Sequence, residues 1–291
     1  MDEDYKNLKI AEKGARISII AYILLSMLKL TLGYFYQSKA LTADGINNST
    51  DIIASLAIII GLKISGKPAD DDHAYGHLRA QTISSLVASL IMIAVGLDVI
   101  YNAVYSTIFL KNKAPDMISA VVAIICAILI YAVYVYNKRV ALRIKSSALM
   151  AAAKDNLSDA WVSMGAAAGI IASQSGFPWI DPLAAVLVGI LICKTGWEIF
   201  KEAAHNLTDG FDSKQLDSIV SRIKEIDGVS CVKGTKARVH GNNILIDIVI
   251  GVNSKLTVVK SHEITEEIEK MLNREFKIKH VIIHVEPDSK Y

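Results

Sequence analysis

The segment Met117–Asn137 reads MISAVVAIICAILIYAVYVYN, and none of its 21 residues carries a charge. A helix needs about 20 mostly apolar residues to cross the hydrocarbon core of a bilayer. This segment therefore predicts a transmembrane helix. Other parts of the first 206 residues are similarly apolar, so the sequence predicts six membrane-spanning helices, near residues 14–36, 40–64, 80–109, 116–137, 146–173 and 179–204.

The composition also favours a membrane protein and excludes several other classes. Of the 291 residues, 52% are hydrophobic, and the mean hydropathy is +0.38. The 31 basic residues nearly balance the 29 acidic ones, and a net charge of +2 does not suit a protein that binds nucleic acid through its phosphates. Cys126, Cys193 and Cys231 form no CxxC pair, so neither a disulfide framework nor a thiolate zinc cluster is predicted.

The charged residues divide the chain into two predicted domains. Residues 207–291 hold 13 basic and 13 acidic residues, which predicts a water-soluble domain after a transmembrane domain at 1–206. The hydrophobic periodicity of the second domain predicts a helix, two strands, a helix and a strand, at 213–226, 229–239, 244–250, 257–276 and 280–285. This α-β-β-α-β order predicts a small α/β domain with two helices on one face of a sheet.

The basic residues of the short loops predict the orientation in the membrane. Cytoplasmic loops carry an excess of lysine and arginine. The excess lies before the first helix and in the second and fourth loops, whereas the opposite side holds only Lys39, Lys111 and Lys113. We therefore expect a multi-pass protein of the cell membrane, with both termini and residues 207–291 in the cytoplasm. The basic residues on the cytoplasmic side are Lys6, Lys9, Lys13, Arg16, Lys63, Lys67, Arg79, Lys138, Arg139, Arg143 and Lys145.

Charged and amide residues inside two of the predicted spans are candidate functional groups, because ionisable side chains at membrane depth are costly unless they are paired, hydrated or bound to metal. The second helix contains Asn47 and Asp51, and the fifth contains Asp155 and Asp159. In each helix the two oxygen donors are four residues apart and share one face. Together the two faces predict a cage of four oxygen ligands for a metal ion. The same two helices also contain Asp44, Lys154 and Asn156. The alternative is that these residues cap helix ends, pair with Lys29 and Lys154, or lie at the membrane interface.

A second candidate metal site lies in the loop after the second helix, which reads PADDDHAYGH at residues 68–77. Asp70, His73 and His77 supply a carboxylate and two imidazoles, and both groups bind divalent cations. The alternative is a solvated acidic loop whose histidines pack at the start of a helix.

These motifs carry a resemblance to the cation diffusion facilitator family. The resemblance covers nearly the whole chain and rests on five segments: Ala43–Asp51, Pro68–His77, Asp155–Asp159, Asn206–Asp209 and Val281–Pro287. Members of this family are homodimeric transporters with six transmembrane helices and a cytoplasmic, ferredoxin-like domain similar to metallochaperones. The resemblance thus implies an all-α membrane domain at 1–206 and an α/β ferredoxin-like domain at 207–291.

The resemblance also implies roles for individual residues. Asn47, Asp51, Asp155 and Asp159 match the transport site, and Asp70, His73 and His77 match the loop metal site. Arg79 and Asp209 match a charge pair between helices three and six, near the dimer hinge. The cytoplasmic metal site is matched by Asp247, His262, His284 and Glu286, but Lys233 stands where zinc-transporting members have a histidine, which argues against a binuclear zinc site there.

The transport quartet favours manganese among the possible cargo ions. Zinc-transporting members usually have a histidine in the quartet, whereas all four donors are oxygens here. Oxygen ligands suit Mn²⁺, and nitrogen ligands favour Zn²⁺. We therefore expect Mn²⁺ export by proton-coupled antiport, with Fe²⁺ and Zn²⁺ as alternative cargo. The expected partners are metal ions, protons, membrane lipids and a second copy of the chain, without a prosthetic group or nucleic acid.

Two functions of another class are compatible with the same residues. An intramembrane metalloenzyme would use the acids and histidines for catalysis, but the sequence contains no HExxH motif and shows no nucleophilic serine or cysteine motif. A membrane-anchored metal sensor would bind metal without moving it. Such a sensor would not need paired oxygen donors in two separate spans. The sequence also contains no Walker A motif, which argues against transport driven by ATP.

Overall fold

Six long helices and a small α/β domain make up the computed structural model of the protein. The structure describes residues 2–109, 114–144, 147–241 and 243–288, and their side chains except at positions 2–15, 58, 144, 147, 148 and 151. Three lysines that are used to predict the membrane orientation lie outside the described residues, namely Lys111, Lys113 and Lys145. Asn242, in the turn that joins the first two predicted strands, also lies outside them. The side chains of Lys6, Lys9 and Lys13 are likewise outside the description.

The six predicted helices are present, and their bounds are α1 Asp2–Phe35, α2 Lys39–Ser65, α3 Ala80–Phe109, α4 Met117–Ile144, α5 Ser147–Gln174 and α6 Ile180–Leu207. The largest difference from prediction is at α1, which begins twelve residues before the predicted position 14. Hydropathy marks only the apolar part of a helix, and α1 starts with a polar stretch. The end of α4 differs from prediction in the same way, since that helix continues through Lys138, Arg139 and Arg143.

Within the described chain, five helices are long and apolar enough to cross a membrane, namely α2, α3 and α6 together with Arg16–Phe35 of α1 and Met117–Arg143 of α4. The remaining long helix, α5, is less apolar because it contains Lys154, Asp155 and Asp159 beside its serines and glycines. Large apolar side chains on the surfaces of these helices are exposed, for example Leu24, Leu90, Ile128 and Leu187. A bilayer would cover such surfaces, and the chain is accordingly a multi-pass membrane protein.

The described residues form two compact units, Met1–Ala57 with Val87–Glu198, and Ile58–Leu86 with Ile199–Tyr291. The first unit is a helix bundle whose interior contains many alanines, among them Ala123, Ala166 and Ala167. Small residues let helix backbones approach closely in membranes. At Gly96 of α3, an added Cβ atom would lie 2.6 Å from Cys193 Sγ and 3.0 Å from the Gly189 carbonyl oxygen of α6, so a larger residue would separate these helices.

The start of α2 is fixed by a carboxylate from α6. Asp181 accepts hydrogen bonds from Ser38 Oγ at 2.7 Å, from the Lys39 amide at 2.7 Å and from the Ala40 amide at 3.3 Å. The first amides of a helix have no partner within the helix, and a side-chain acceptor satisfies them. Asp181 therefore anchors the helix that carries Asn47 and Asp51.

The second unit contains the predicted α/β domain, with α7 Ser213–Ile223, β1 Cys231–His240, β2 Asn243–Asn253, α8 Val258–Phe276 and β3 His280–Asp288. The strands form one sheet in the order β1-β2-β3, with β1 antiparallel and β3 parallel to β2. Both helices share one core with the sheet, formed mainly by Ile219, Ile223, Ile246, Ile248, Ile250, Ile268, Met271 and Leu272. The predicted all-α membrane domain and ferredoxin-like α/β domain are thus confirmed.

The core of the α/β domain lies entirely between Phe211 and Val285, and we therefore expect a fragment of residues 209–291 to fold alone. In this fragment, Ile248→Ala should lower the free energy of unfolding by about 2–5 kcal/mol, because Ile248 is buried in the middle of β2. Ile282→Ala on β3 is the matched control, since Ile282 is 64% exposed. Urea unfolding followed by circular dichroism measures both, and equal losses would contradict the assigned core.

Candidate functional site

The helix bundle joins α2 to α5 at two of the four predicted oxygen donors, whereas the carboxylates of Asp51, Asp155 and Asp159 do not all lie within 4.8 Å of one another. The Asn47 side-chain amide donates a 3.1 Å hydrogen bond to Asp159 Oδ1, which joins the two helices directly. Asp51 is one turn after Asn47, and its carboxylate interacts electrostatically with both Asp159 and Asp155. Asp159 is buried, Asn47 and Asp51 are half-buried, and Asp155 is exposed.

Asp51 lacks the hydrogen-bond partner that a buried carboxylate oxygen needs. Its Oδ2 atom is buried and accepts no hydrogen bond from the described residues. The groups that it interacts with electrostatically include two further carboxylates of the quartet. Like charges in a poorly hydrated site repel, and an isolated buried charge is costly. A divalent cation among Asp51, Asp155 and Asp159 would remove both costs.

Asp44 is separate from this quartet, although it is on the same helix. Its carboxylate forms an ion pair with Lys29 of α1 at 2.9 Å, and both side chains are buried. The Lys29 ammonium also donates to Asn48 Oδ1 at 2.6 Å and to Ser163 Oγ at 2.9 Å. The alternative prediction is that the polar residues in the spans pair with lysines. Among the described contacts of Lys29, this holds for Asp44 and not for Asn47 or Asp155.

Tyr22 of α1 is a contact of the quartet that the sequence interpretation missed. Its hydroxyl group donates a 2.5 Å hydrogen bond to Asp159 Oδ2. A pattern on α1 could have indicated it, since the polar residues Ser18, Tyr22, Ser26 and Lys29 follow one another at spacings of four, four and three residues. Such spacing places polar groups on one face of an otherwise apolar helix, towards a polar interior.

The loop between α2 and α3 forms the second predicted cluster. The ligand atoms of Asp70, His73 and His77 lie within 4.8 Å of one another, and among the described residues this is the one group of three or more potential metal ligands with that spacing. Asp70 Oδ1 is 2.9 Å from His73 Nδ1, and Asp70 Oδ2 is 3.4 Å from His77 Nε2. The hydrogen bond from His73 lowers the pKa of the Asp70 carboxyl group, which favours the charged form that binds a cation.

Arg79 and Asp209, which the resemblance assigns to a charge pair, are also in contact. The Arg79 guanidinium and the Asp209 carboxylate are 2.5 Å apart. Arg79 Nε also donates to His240 Nε2, at the end of β1, at a distance of 3.0 Å. Burial and the charges of Arg79 and Arg238 lower the pKa of His240. These residues line a cavity of about 680 Å³ together with His73 and His77 of the loop cluster.

The four cytoplasmic candidates are not gathered into one cluster within the described residues of the chain. Asp247 is 3.5 Å from Arg238, and His262 is 3.7 Å from Glu266. His284 Nε2 is 3.6 Å from Glu286 Oε1.

Lys233 forms an ion pair with Glu286, through the carboxylate oxygen that does not face His284. Its ammonium donates to Glu286 Oε2 at 2.8 Å and to the Pro287 carbonyl oxygen at 3.2 Å. The contact crosses the middle strand at Gly251, where an added Cβ atom would lie 3.4 Å from Lys233 Cε. This hydrogen bond lowers the pKa of the Glu286 carboxyl group. A lysine ammonium thus pairs with the carboxylate that the resemblance to the family assigns to the cytoplasmic metal site.

Two family models match the chain. The model described as "Cation efflux transmembrane domain" matches residues 15–208, and the model described as "Cation efflux protein, cytoplasmic domain" matches residues 211–288.

Individual proteins are similar over almost the full length. The manganese efflux system protein MneS of Bacillus subtilis (strain 168) is 51% identical over 285 residues, which cover 98% of each chain. The manganese efflux system protein MneP of the same organism is 30% identical and covers 96% of this chain and 97% of its own. Among solved structures, the one described as "MamM CTD - Copper form" is 27% identical, covers 26% of this chain and 76% of its own, and has a TM-score of 0.26.

The Lys233 contact predicts weak metal binding by residues 207–291. Lys233→Ala should strengthen the binding of Zn²⁺ by about tenfold or more, because it removes a positive charge from Glu286. Lys236→Ala is the matched control, since Lys236 is exposed on the same strand and its loss changes the net charge equally. Calorimetric titration of fragment 209–291 measures the affinities. The same affinity in both variants would show that Lys233 does not oppose the metal.

Proposed function

The chain belongs to the cation diffusion facilitator family of cation efflux transporters, and on that basis we propose that it exports Mn²⁺ from the cytoplasm in exchange for protons. Three lines of support converge. The relatives at 51% and 30% identity are both named as manganese efflux proteins. The quartet on α2 and α5 contains only oxygen donors, which suit Mn²⁺. The main supporting observation is that a buried oxygen of Asp51 has no hydrogen-bond partner among the described residues, while its carboxylate interacts electrostatically with two further carboxylates.

In this proposal, Asn47, Asp51, Asp155 and Asp159 bind the cargo ion. The hydrogen bond from the Asn47 amide nitrogen to Asp159 leaves the Asn47 amide oxygen to ligate the ion. The three carboxylates ligate it when they are deprotonated, and protons compete with the metal for the same oxygens. Asn47 does not titrate, so one ligand is independent of pH. Fe²⁺ and Zn²⁺ are the alternative cargo, since affinity alone does not separate first-row metals.

We assign supporting roles to the other parts of the chain. Residues 1–206 form the transport domain, and residues 207–291 form a cytoplasmic domain through which two copies associate as a homodimer. The asymmetry of basic residues supports cytoplasmic termini in the cell membrane. The loop residues Asp70, His73 and His77 form an accessory metal site, supported by their mutual distances.

The Arg79–Asp209 ion pair acts as a link at the end of helices α3 and α6, near the dimer hinge. Its support is the 2.5 Å contact between the two side chains. The cytoplasmic residues Asp247, His262, His284 and Glu286 bind metal at most weakly in one chain, because Lys233 and Arg238 already pair with two of them.

Replacement of Asp51 tests the transport site. In proteoliposomes with a pH gradient, Asp51→Asn should reduce Mn²⁺ flux by at least about 100-fold, because the cage loses a negative charge and exchanges a carboxylate for a weaker, neutral amide ligand. The matched control is Asp98→Asn, which removes an exposed aspartate from the transmembrane helix α3. Wild-type flux in the Asp51 variant would refute the site, and an absence of flux in the wild type would refute transport of Mn²⁺ itself.

A second substitution tests the basis of selectivity. Asp155→His introduces an imidazole into the quartet and should shift the preference from Mn²⁺ towards Zn²⁺ by about tenfold or more. Competition between the two metals during uptake measures the ratio, with Asp98→His as the control for a histidine elsewhere in the membrane. An unchanged ratio would show that the quartet does not select the ion.

A further inference from the structure

Tyr22 joins Asp159 to a chain of buried hydrogen bonds that extends away from the quartet. The Tyr22 hydroxyl oxygen accepts a 2.8 Å hydrogen bond from Asn156 Nδ2. Asn156 Oδ1 in turn accepts from Ser18 Oγ at 3.1 Å and from Asn137 Nδ2 at 3.1 Å. Asn137 Nδ2 also donates to Ser18 Oγ at 2.8 Å. Helices α1, α4 and α5 are thus connected through polar groups that are all buried.

The chain of hydrogen bonds has one direction, which ends at Asp159. The two hydrogens of the Asn137 amide are used by Ser18 and Asn156, so the Ser18 hydroxyl hydrogen is directed to Asn156 Oδ1. The Asn156 amide then donates to the Tyr22 oxygen. The Tyr22 hydroxyl hydrogen is therefore directed to Asp159 Oδ2. A hydroxyl group that donates to a carboxylate at 2.5 Å makes a strong, charge-assisted hydrogen bond.

The contact leaves Asp159 able to bind a metal ion. Tyr22 donates to Oδ2 and Asn47 donates to Oδ1, so the carboxylate is held at both oxygens by two different helices. Each carboxylate oxygen can accept more than one interaction. A ligand whose orientation is fixed in advance binds metal more tightly than a mobile one, and loss of such an outer contact typically weakens affinity or activity by about 10–100-fold.

We propose that Tyr22 is a positioning residue of the metal cage, which holds the Asp159 carboxylate in a ligating orientation through a directed hydrogen-bond chain from Asn156. The inference rests on the proposed role of Asp159 as a ligand of the cargo ion. Tyr22 does not itself ligate the ion. Its removal therefore acts on the affinity for metal rather than on the number of ligands.

Tyr22→Phe and Ser18→Ala provide the test in the full-length protein. Both remove one buried hydroxyl group from the same network, but only the first touches Asp159. In Mn²⁺ uptake by proteoliposomes, Tyr22→Phe should raise the apparent KM by about 10–100-fold, with a maximal rate within about threefold of wild type. Ser18→Ala should change the KM by less than about threefold. Equal effects of the two substitutions would overturn the positioning role.

Thermal unfolding in detergent separates positioning from a structural role. Mn²⁺ should raise the unfolding temperature of the wild type and of Ser18→Ala, and raise that of Tyr22→Phe much less at the same concentration. A purely structural role would lower the metal-free unfolding temperature and leave the increment from Mn²⁺ unchanged, which would refute the inference.

Asn156→Ser is a second variant in case Tyr22→Phe does not fold. It keeps Tyr22 and removes the amide that directs the hydroxyl hydrogen to Asp159, so it should raise the KM in the same direction by a smaller factor. An unchanged KM would count against the proposed chain of hydrogen bonds. If the wild type binds Mn²⁺ but shows no proton-driven flux, the proposed function fails, and weaker binding by Tyr22→Phe in the thermal assay still supports the positioning role. If the wild type does not bind Mn²⁺, both proposals fail.

Discussion

The hydrogen bonds on the Asp159 carboxylate organise the polar interior of the bundle. One oxygen accepts from Tyr22 on α1 and the other accepts from Asn47 on α2, so that a residue of α5 connects three helices. In a membrane, helices lack the hydrophobic driving force that packs them in water, and buried polar contacts help to specify which faces meet. The electrostatic interaction of Asp51 with Asp155 and Asp159 depends on this arrangement, because Asp51 is one turn along α2 from Asn47.

Most of the fold could be predicted from the sequence, because apolar length and periodicity report directly on membrane spans and on a small α/β domain. The bounds were less predictable where polar sequence continues a helix, as at the start of α1 and at Lys138 in α4. Hydropathy indicates whether a segment lies in lipid or in water. It says little about the residue at which the backbone hydrogen bonds of the helix end. The bulge between Val232 and Gly234 in β1 likewise has no simple periodic signal.

The candidate site was only partly predictable. Charged residues inside the spans identified Asp51, Asp155 and Asp159, because such residues are rare and costly there. The partners of these residues come from other helices, and the pairing of helices is a three-dimensional property. Tyr22 was missed because an aromatic residue in a span is ordinarily expected at a lipid or interface position. In the cytoplasmic domain, the sequence identified Lys233 as the unusual residue, but the contact across Gly251 to Glu286 required the strand order.

The Lys29–Asp44 ion pair has an electrical consequence for the bundle. The ion pair with the Lys29 ammonium balances the charge of Asp44, so in the proposed site Asp51, Asp155 and Asp159 are the carboxylates left to exchange a metal ion for protons. These three groups have a net charge of minus one with a divalent ion bound and the same net charge with two protons bound. Moving one elementary charge through a membrane potential of 100 mV involves about 2.3 kcal/mol. A cycle that exchanges one divalent ion for two protons at this site would therefore be insensitive to voltage and would respond to concentration gradients alone.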